Sequence, residues 1–242
     1  MLLALHQPNY LPYLGNFHKM AQVDLFVFFD NVPLGQGKSW VSRNRINLDG
    51  REMWLTVPTV KSGRSGQLIK DVETRWDTPW PRKHLGTIRQ AYRKSPYLEE
   101  VAELLRREFD RQPRSISELN IAIIKALAGM LGIQCRFAVA SERVNTESRG
   151  TDMIREVCQA FGCTDYLTGT GYPELRPEEI EEKGIRVHFQ QFHHPVYDSL
   201  GGQFIPDMSI LDAILSAGPD KVGRWLSAPQ RSTVLSETRS ER

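Results

Sequence analysis

The first polar residue after an apolar start is a histidine. Met1 to Leu5 is an apolar run, and His6 follows it directly, ahead of Gln7-Pro8-Asn9-Tyr10-Leu11-Pro12. An imidazole with an unperturbed pKa of about 6.5 changes charge near neutral pH, so His6 is a candidate general base. A loop histidine bonded to nearby backbone is the competing account. Gln7, Asn9 and Tyr10 supply neutral donors and acceptors suited to amide or sugar hydroxyl groups. Turn chemistry around Pro8 and Pro12 would use the same residues.

Two further segments follow apolar runs in the same way. Asp30-Asn31 closes DLFVFF and could orient a histidine, bind a substrate amine or hold a metal; an Asx turn at a strand end is the simpler account from the sequence alone. Thr168-Gly169-Thr170-Gly171 allows backbone to approach a ligand closely, or makes a plain tight turn. Lys38, Arg43, Arg45, Lys61 and Arg64 make the stretch from 35 to 64 locally basic, which suits a phosphate, a phosphopantetheine arm or a carboxylate; a solvated face is the alternative. His84 is a third catalytic candidate that could donate to an anion, set against a surface histidine of a helix beginning near Pro81. The glycines of LGQGKS match neither a P-loop nor a dinucleotide fingerprint. The adjacent His193-His194 lacks the spacing of a zinc pair. The three cysteines, Cys135, Cys158 and Cys163, have no identifiable base beside them, which argues against a thiol nucleophile.

These residues need a frame. Met1–Leu5 and Asp24–Phe29 read as buried strands, with a short helix over Leu14–Ala21 between them. Trp40–Val57 reads as a hairpin turning at Asn47-Leu48-Asp49-Gly50, with Arg43 and Arg45 on one side and Asn44 and Ile46 on the other. Three helices follow: one opened by Pro81 with Leu85, Ile88 and Tyr92 on a face, one after Ser95-Pro96, and one behind the capping-box pair Ser115 and Glu118. From Gln134 onward strands and helices alternate, which predicts parallel pairing. The expected fold class is α/β: a predominantly parallel sheet flanked by helices, with an N-terminal hairpin insertion and a helical middle segment. One domain is expected over 1–226. The polar stretch 227–242 has little to bury and is expected to be a disordered tail.

Charge and hydropathy narrow the functional classes. The net charge of +2 is too small to point to nucleic acid or a membrane surface as the main partner. The apolar start is too short for a signal peptide or a span, and the odd cysteine count suits a reducing compartment, so a cytoplasmic location is expected.

The segments HQPNYLPYLGNFHKM, DLFVFFDNV, KSWVSRNRI and WLTVPT together resemble the WbqC-like family, as do WPRKHLGTIRQAYRKSPY, DYLTGTG and FIPDMSILDAI further on. The resemblance spans about residues 1 to 226. Tyr13 stands where the family usually has Trp, and Ser42 interrupts its usual NRNR run, leaving Arg43-Asn44-Arg45. NVPLGQGKS and TGTGYPEL also depart from its loops, which bears on substrate rather than fold. The resemblance implies aminoacyl or acyl transfer in polysaccharide or natural-product biosynthesis, for example glycine passing from a carrier-protein thioester to an amine or amino sugar.

On that reading His6 removes the amine proton and Asp30 orients His6 or binds an α-amino group. Arg43, Asn44, Arg45 and Lys61 hold the phosphopantetheine phosphate or the developing oxyanion. No bound cofactor or metal is expected, since a thioester is already activated. An HxGH-type nucleotidyltransferase or ATP-dependent ligase is the second reading, weakened because Asn9 stands where the second histidine belongs. A non-catalytic module of a biosynthetic complex is the third.

Overall fold

The computed structural model describes residues 1–35, 39–60, 66–169 and 174–228. Five short apolar strands form its central sheet: β1 (Leu2–His6), β2 (Leu25–Phe28), β5 (Arg136–Val139), β6 (Asp165–Thr168) and β7 (Arg186–Phe189). Their order is β5-β2-β1-β6-β7, and every neighbouring pair is parallel. The chain thus builds outward from β1 on one side and then returns to its other side with β6. In such sheets the crevice at the carboxyl ends, where the direction of winding reverses, is the usual place for a ligand. Here that place lies between β1 and β6.

Successive side chains on a strand point to opposite faces, and the two faces of this sheet are both buried. Ala4, Phe26, Phe28 and Leu167 join a large core with α1 (Leu14–Ala21), α2 (Trp80–Ala91), α3 (Leu98–Asp110), α4 (Ile116–Met130), α7 (Ile210–Ala217) and α8 (Pro219–Ser227). Leu3, Leu5, Leu25, Val27 and Tyr166 pack on the opposite side against α5 (Gly150–Ala160) and α6 (Pro177–Glu181). By the same alternation His6 follows Ala4 to the α1 side.

The hairpin β3 (Arg43–Leu48) and β4 (Arg51–Thr56) forms a separate two-stranded sheet. Its turn residues Asp49 and Gly50 both have positive φ, 53° and 76°, as the expected tight turn requires. Ile46 and Leu55 insert into the large core, while most of β4 is exposed. The capping box on α4 is present in both directions between Ser115 and Glu118. Among the described residues no helix is long and apolar enough to cross a membrane. The expected tail lies almost wholly outside the described residues.

Candidate functional site

His6 closes β1 at the winding reversal. In the β1–β6 register Ala4 faces Leu167, and two residues on from that pair stand His6 and Gly169. His6 is half-buried there. His6 Nδ1 lies 2.8 Å from the Gln7 carbonyl oxygen. A carbonyl only accepts, so Nδ1 carries the hydrogen and Nε2 holds the basic lone pair. Nε2 has no bonded partner among the described residues. Burial, reinforced by the charge of Lys19, brings the His6 pKa down to about 4, so the ring is neutral at neutral pH.

The residues after His6 form a loop held from beneath. Asn9 donates its backbone N–H to the Gln7 carbonyl, 2.9 Å, so His6 and Asn9 converge on one oxygen. The Asn9 Oδ1 atom is buried and unpartnered, while Gln7 is exposed. Asn44 Nδ2 donates to the carbonyls of Tyr10 (3.2 Å) and Leu11 (2.8 Å). Asn120 Nδ2 donates to those of Pro8 (2.7 Å) and Val41 (2.8 Å). Leu11 has φ 43°, an uncommon conformation for a side chain branched at Cγ, and the two asparagines hold the carbonyls of Leu11 itself and of Pro8 and Tyr10 before it.

Three of the expected site residues are therefore internal. Asn44 is 3% exposed and spends its amide on the loop rather than on a ligand. Tyr10 is wholly buried, with its hydroxyl 2.9 Å from His84 Nδ1. His84 is not the surface histidine of its helix: it follows Trp80 and precedes Ile88 at four-residue spacing, on the buried line of α2. Burial brings its pKa down to about 4.

Asp30, at the end of β2, is 3% exposed and accepts from Ser141 N (3.1 Å) and Ser141 Oγ (2.8 Å). It fastens β2 to the turn after β5, and no hydrogen bond among the described residues joins it to His6. Burial raises its carboxyl, against the Ser141 hydrogen bonds that lower it. Thr168 is buried, and Gly169 follows it into a segment whose residues 170–173, Thr170 among them, lie outside the described residues. Lys38 and Lys61 also lie outside them.

Arg43 and Arg45 face outward from the hairpin. The Arg43 guanidinium sits over the Trp54 ring, 3.9 Å from its centroid, with no carboxylate partner among the described residues. Arg45 is paired with Glu52 at 2.6 Å. The Trp40 and Trp54 rings pack 5.5 Å apart with their planes tilted by 33°, and both are exposed, at 45% and 36%. The Trp40 carbonyl accepts the Tyr10 N–H, 3.0 Å, which ties this aromatic and cationic patch to the loop after His6.

Two residues of α1 belong to the site and were not among those expected from the sequence. Lys19 is 6% exposed, and its charge is felt at His6. His18 is 1% exposed and receives the Gln190 side-chain amide, 2.9 Å from Nε2 to Nδ1. The same amide nitrogen donates to the Gly15 carbonyl, 2.8 Å, which settles the orientation of the amide because a carbonyl cannot donate. His18 Nδ1 is thus the acceptor and Nε2 carries the hydrogen. Gln190 follows β7 directly, so this link holds the first turn of α1 at the carboxyl edge of the sheet. The signal for both was the apolar spacing of Leu14, Phe17 and Met20, which draws the residues between them toward the core.

The sequence model of the WbqC-like protein family matches residues 7–224. A protein of Mycobacterium tuberculosis (strain ATCC 25618 / H37Rv), described as uncharacterized protein Rv1507c, is 30% identical over 222 residues, covering 90% of this chain and 94% of its own. No solved structure matches the chain.

Proposed function

Because the chain belongs to the WbqC-like protein family, we propose that it is an acyltransferase forming an amide from a carrier-protein aminoacyl thioester and an amine, in polysaccharide or natural-product biosynthesis. The observation that carries this reading is the His6 ring at the end of β1: neutral, fixed through Nδ1–H to Gln7, with Nε2 unbonded among the described residues. Unprotonated at neutral pH, the ring can accept the proton that an amine loses as it attacks, although a pKa of about 4 makes it a weaker base than a free imidazole. The amine nitrogen bonds to the thioester carbonyl carbon while its proton passes to His6 Nε2. Collapse of the tetrahedral species breaks the C–S bond, and the proton goes to the departing thiolate. Thioester and amine become amide and thiol, with no change of oxidation state.

Gln7, exposed beside His6, suits the acceptor, because its side-chain amide both donates and accepts. Arg43 suits the phosphate of a phosphopantetheine arm, because its guanidinium has no carboxylate partner among the described residues. Asp30 acts in this reading by holding β2 and β5 together beneath the site rather than by touching His6.

The test is intact-mass analysis of a glycyl-loaded carrier protein incubated with the chain and a panel of amines, without ATP. Loss of the glycyl group with a matching amide supports transfer, and His6→Ala should then abolish it. A loaded carrier that persists with every amine counts against it. The winding reversal at β1 and β6 favours a second reading, nucleotidyl transfer, since open parallel sheets bind nucleotides at such crevices. ATP-dependent pyrophosphate release in the same mixtures would establish that reading instead.

A further inference from the structure

Among the described residues Lys19 is a cation with no counter-ion. It is 6% exposed, and among the described residues nothing bonds or pairs with its ammonium. The carboxylates of the central sheet are committed elsewhere. Asp30 holds Ser141, Asp24 holds the Leu2 N–H at 2.8 Å, and Asp165 is taken by Arg186 and His188. Removing an ammonium from water without a partner is costly, and proteins keep such a group mainly where something else completes it.

Its direction is set by the helix. Side chains on an α-helix lean toward its N-terminus. In α1 that end lies at the carboxyl edge of the sheet, where Gln190 holds Gly15. Lys19 therefore leans toward the end of β1, on the face of the sheet to which His6 points. Lys19 is not wholly enclosed, since 6% of its surface remains exposed. Pairing with the C-terminal dipole of α1 would need the side chain to run the other way.

We propose that Lys19 is the anion-binding residue of the site at His6, and that the ligand bound beside His6 carries a carboxylate or phosphate oxygen that completes the ammonium. This rests on the reading above only in placing the site at His6, and it requires no turnover. The anion could belong to the acceptor, as the carboxylate of an amino acid, or to the donor arm, as a phosphate.

The experiment uses the full chain with inorganic phosphate and with acetate as probes, against chloride at matched ionic strength. The His6 ring resonances are followed by NMR and the unfolding midpoint by calorimetry. In the wild type at least one probe should shift the His6 signal saturably and raise the midpoint. Response to acetate alone assigns a carboxylate source, and response to phosphate alone assigns a phosphate. Lys19→Met should weaken that binding by about tenfold to a hundredfold, as expected for losing a hydrogen bond to a charged group. Lys19→Arg should retain most of it. Without anion, Lys19→Met should raise the midpoint, because an apolar stem of similar shape removes an uncompensated charge. A wild type indifferent to both anions, an equal response in Lys19→Met, or a lowered midpoint in that variant without anion would each overturn the proposal. Failure of the transfer assay would leave these outcomes unchanged.

Discussion

The Tyr10 hydroxyl and His84 Nδ1 lie 2.9 Å apart, in a site closed to solvent and 74 residues apart in the chain. With the Thr56 backbone as the ring's other hydrogen-bonding neighbour, the hydroxyl donates and Nδ1 accepts. The bond joins the loop after His6 to α2, and Trp80 packs edge-on against both rings. Tyr10→Phe should therefore lower stability by about 1–3 kcal/mol, the cost of a buried acceptor left alone. Denaturant titration would show it, while the response of the site at His6 to ligand should stay close to wild type. A large loss of binding with unchanged stability would place Tyr10 in the site after all.

Asn44→Ala and Asn120→Ala should each cost about 1–3 kcal/mol for every loop carbonyl left without its donor. The local signature is faster amide hydrogen exchange across residues 9–13, measured under conditions where the rest of the sheet stays protected. Uniform exchange over the whole chain would mean that neither asparagine holds the loop specifically.

Stability should fall on acidification between about pH 6.5 and pH 4. His6, His18 and His84 are each brought from 6.5 to about 4 in the fold, in each case chiefly by burial. A lowered folded pKa means that the unfolded chain binds more protons in this window. The stabilisation is therefore complete above about 6.5 and is lost as pH falls through about 4. Each fully titrating group contributes a slope of roughly 1.4 kcal/mol per pH unit. Asp30 and Asp212, raised by burial, work in the opposite sense and offset part of the loss. Denaturant midpoints at several pH values check the sign, and His18→Gln should flatten the slope.

Arg43→Gln should raise KM for a loaded carrier while leaving kcat and the melting temperature nearly unchanged, since its guanidinium rests on an exposed ring and carries no ion pair among the described residues. Arg45→Gln should do less, because Glu52 already neutralises that charge. Equal effects of the two variants would count against a phosphate held at Arg43.

Much of the frame was legible in the sequence because it is set by local pattern. Short apolar runs bounded by Gly, Asp and Pro became β1, β2, β5, β6 and β7, the turn at Asp49-Gly50 closed the hairpin, and Ser115 with Glu118 capped α4. His6 was placed at a strand end by the same logic, since a polar residue after a buried run has to leave the sheet. What sequence spacing could not supply was the partner of each polar side chain. Asn44 and Arg45 are neighbours on one strand, yet one clamps a loop beneath the site and the other pairs with Glu52 on the surface. Tyr10 and His84 look like site residues until the core closes over them. Lys19, flanked by apolar residues on a short helix, passes for an ordinary surface lysine until β1 and α1 are packed together. Local propensity fixes where strands and helices lie, but hydrogen bonds and burial across distant segments decide which polar groups are spent on the fold and which remain for a ligand. That division depends on the strand order β5-β2-β1-β6-β7, which no nearest-neighbour pattern in the chain encodes.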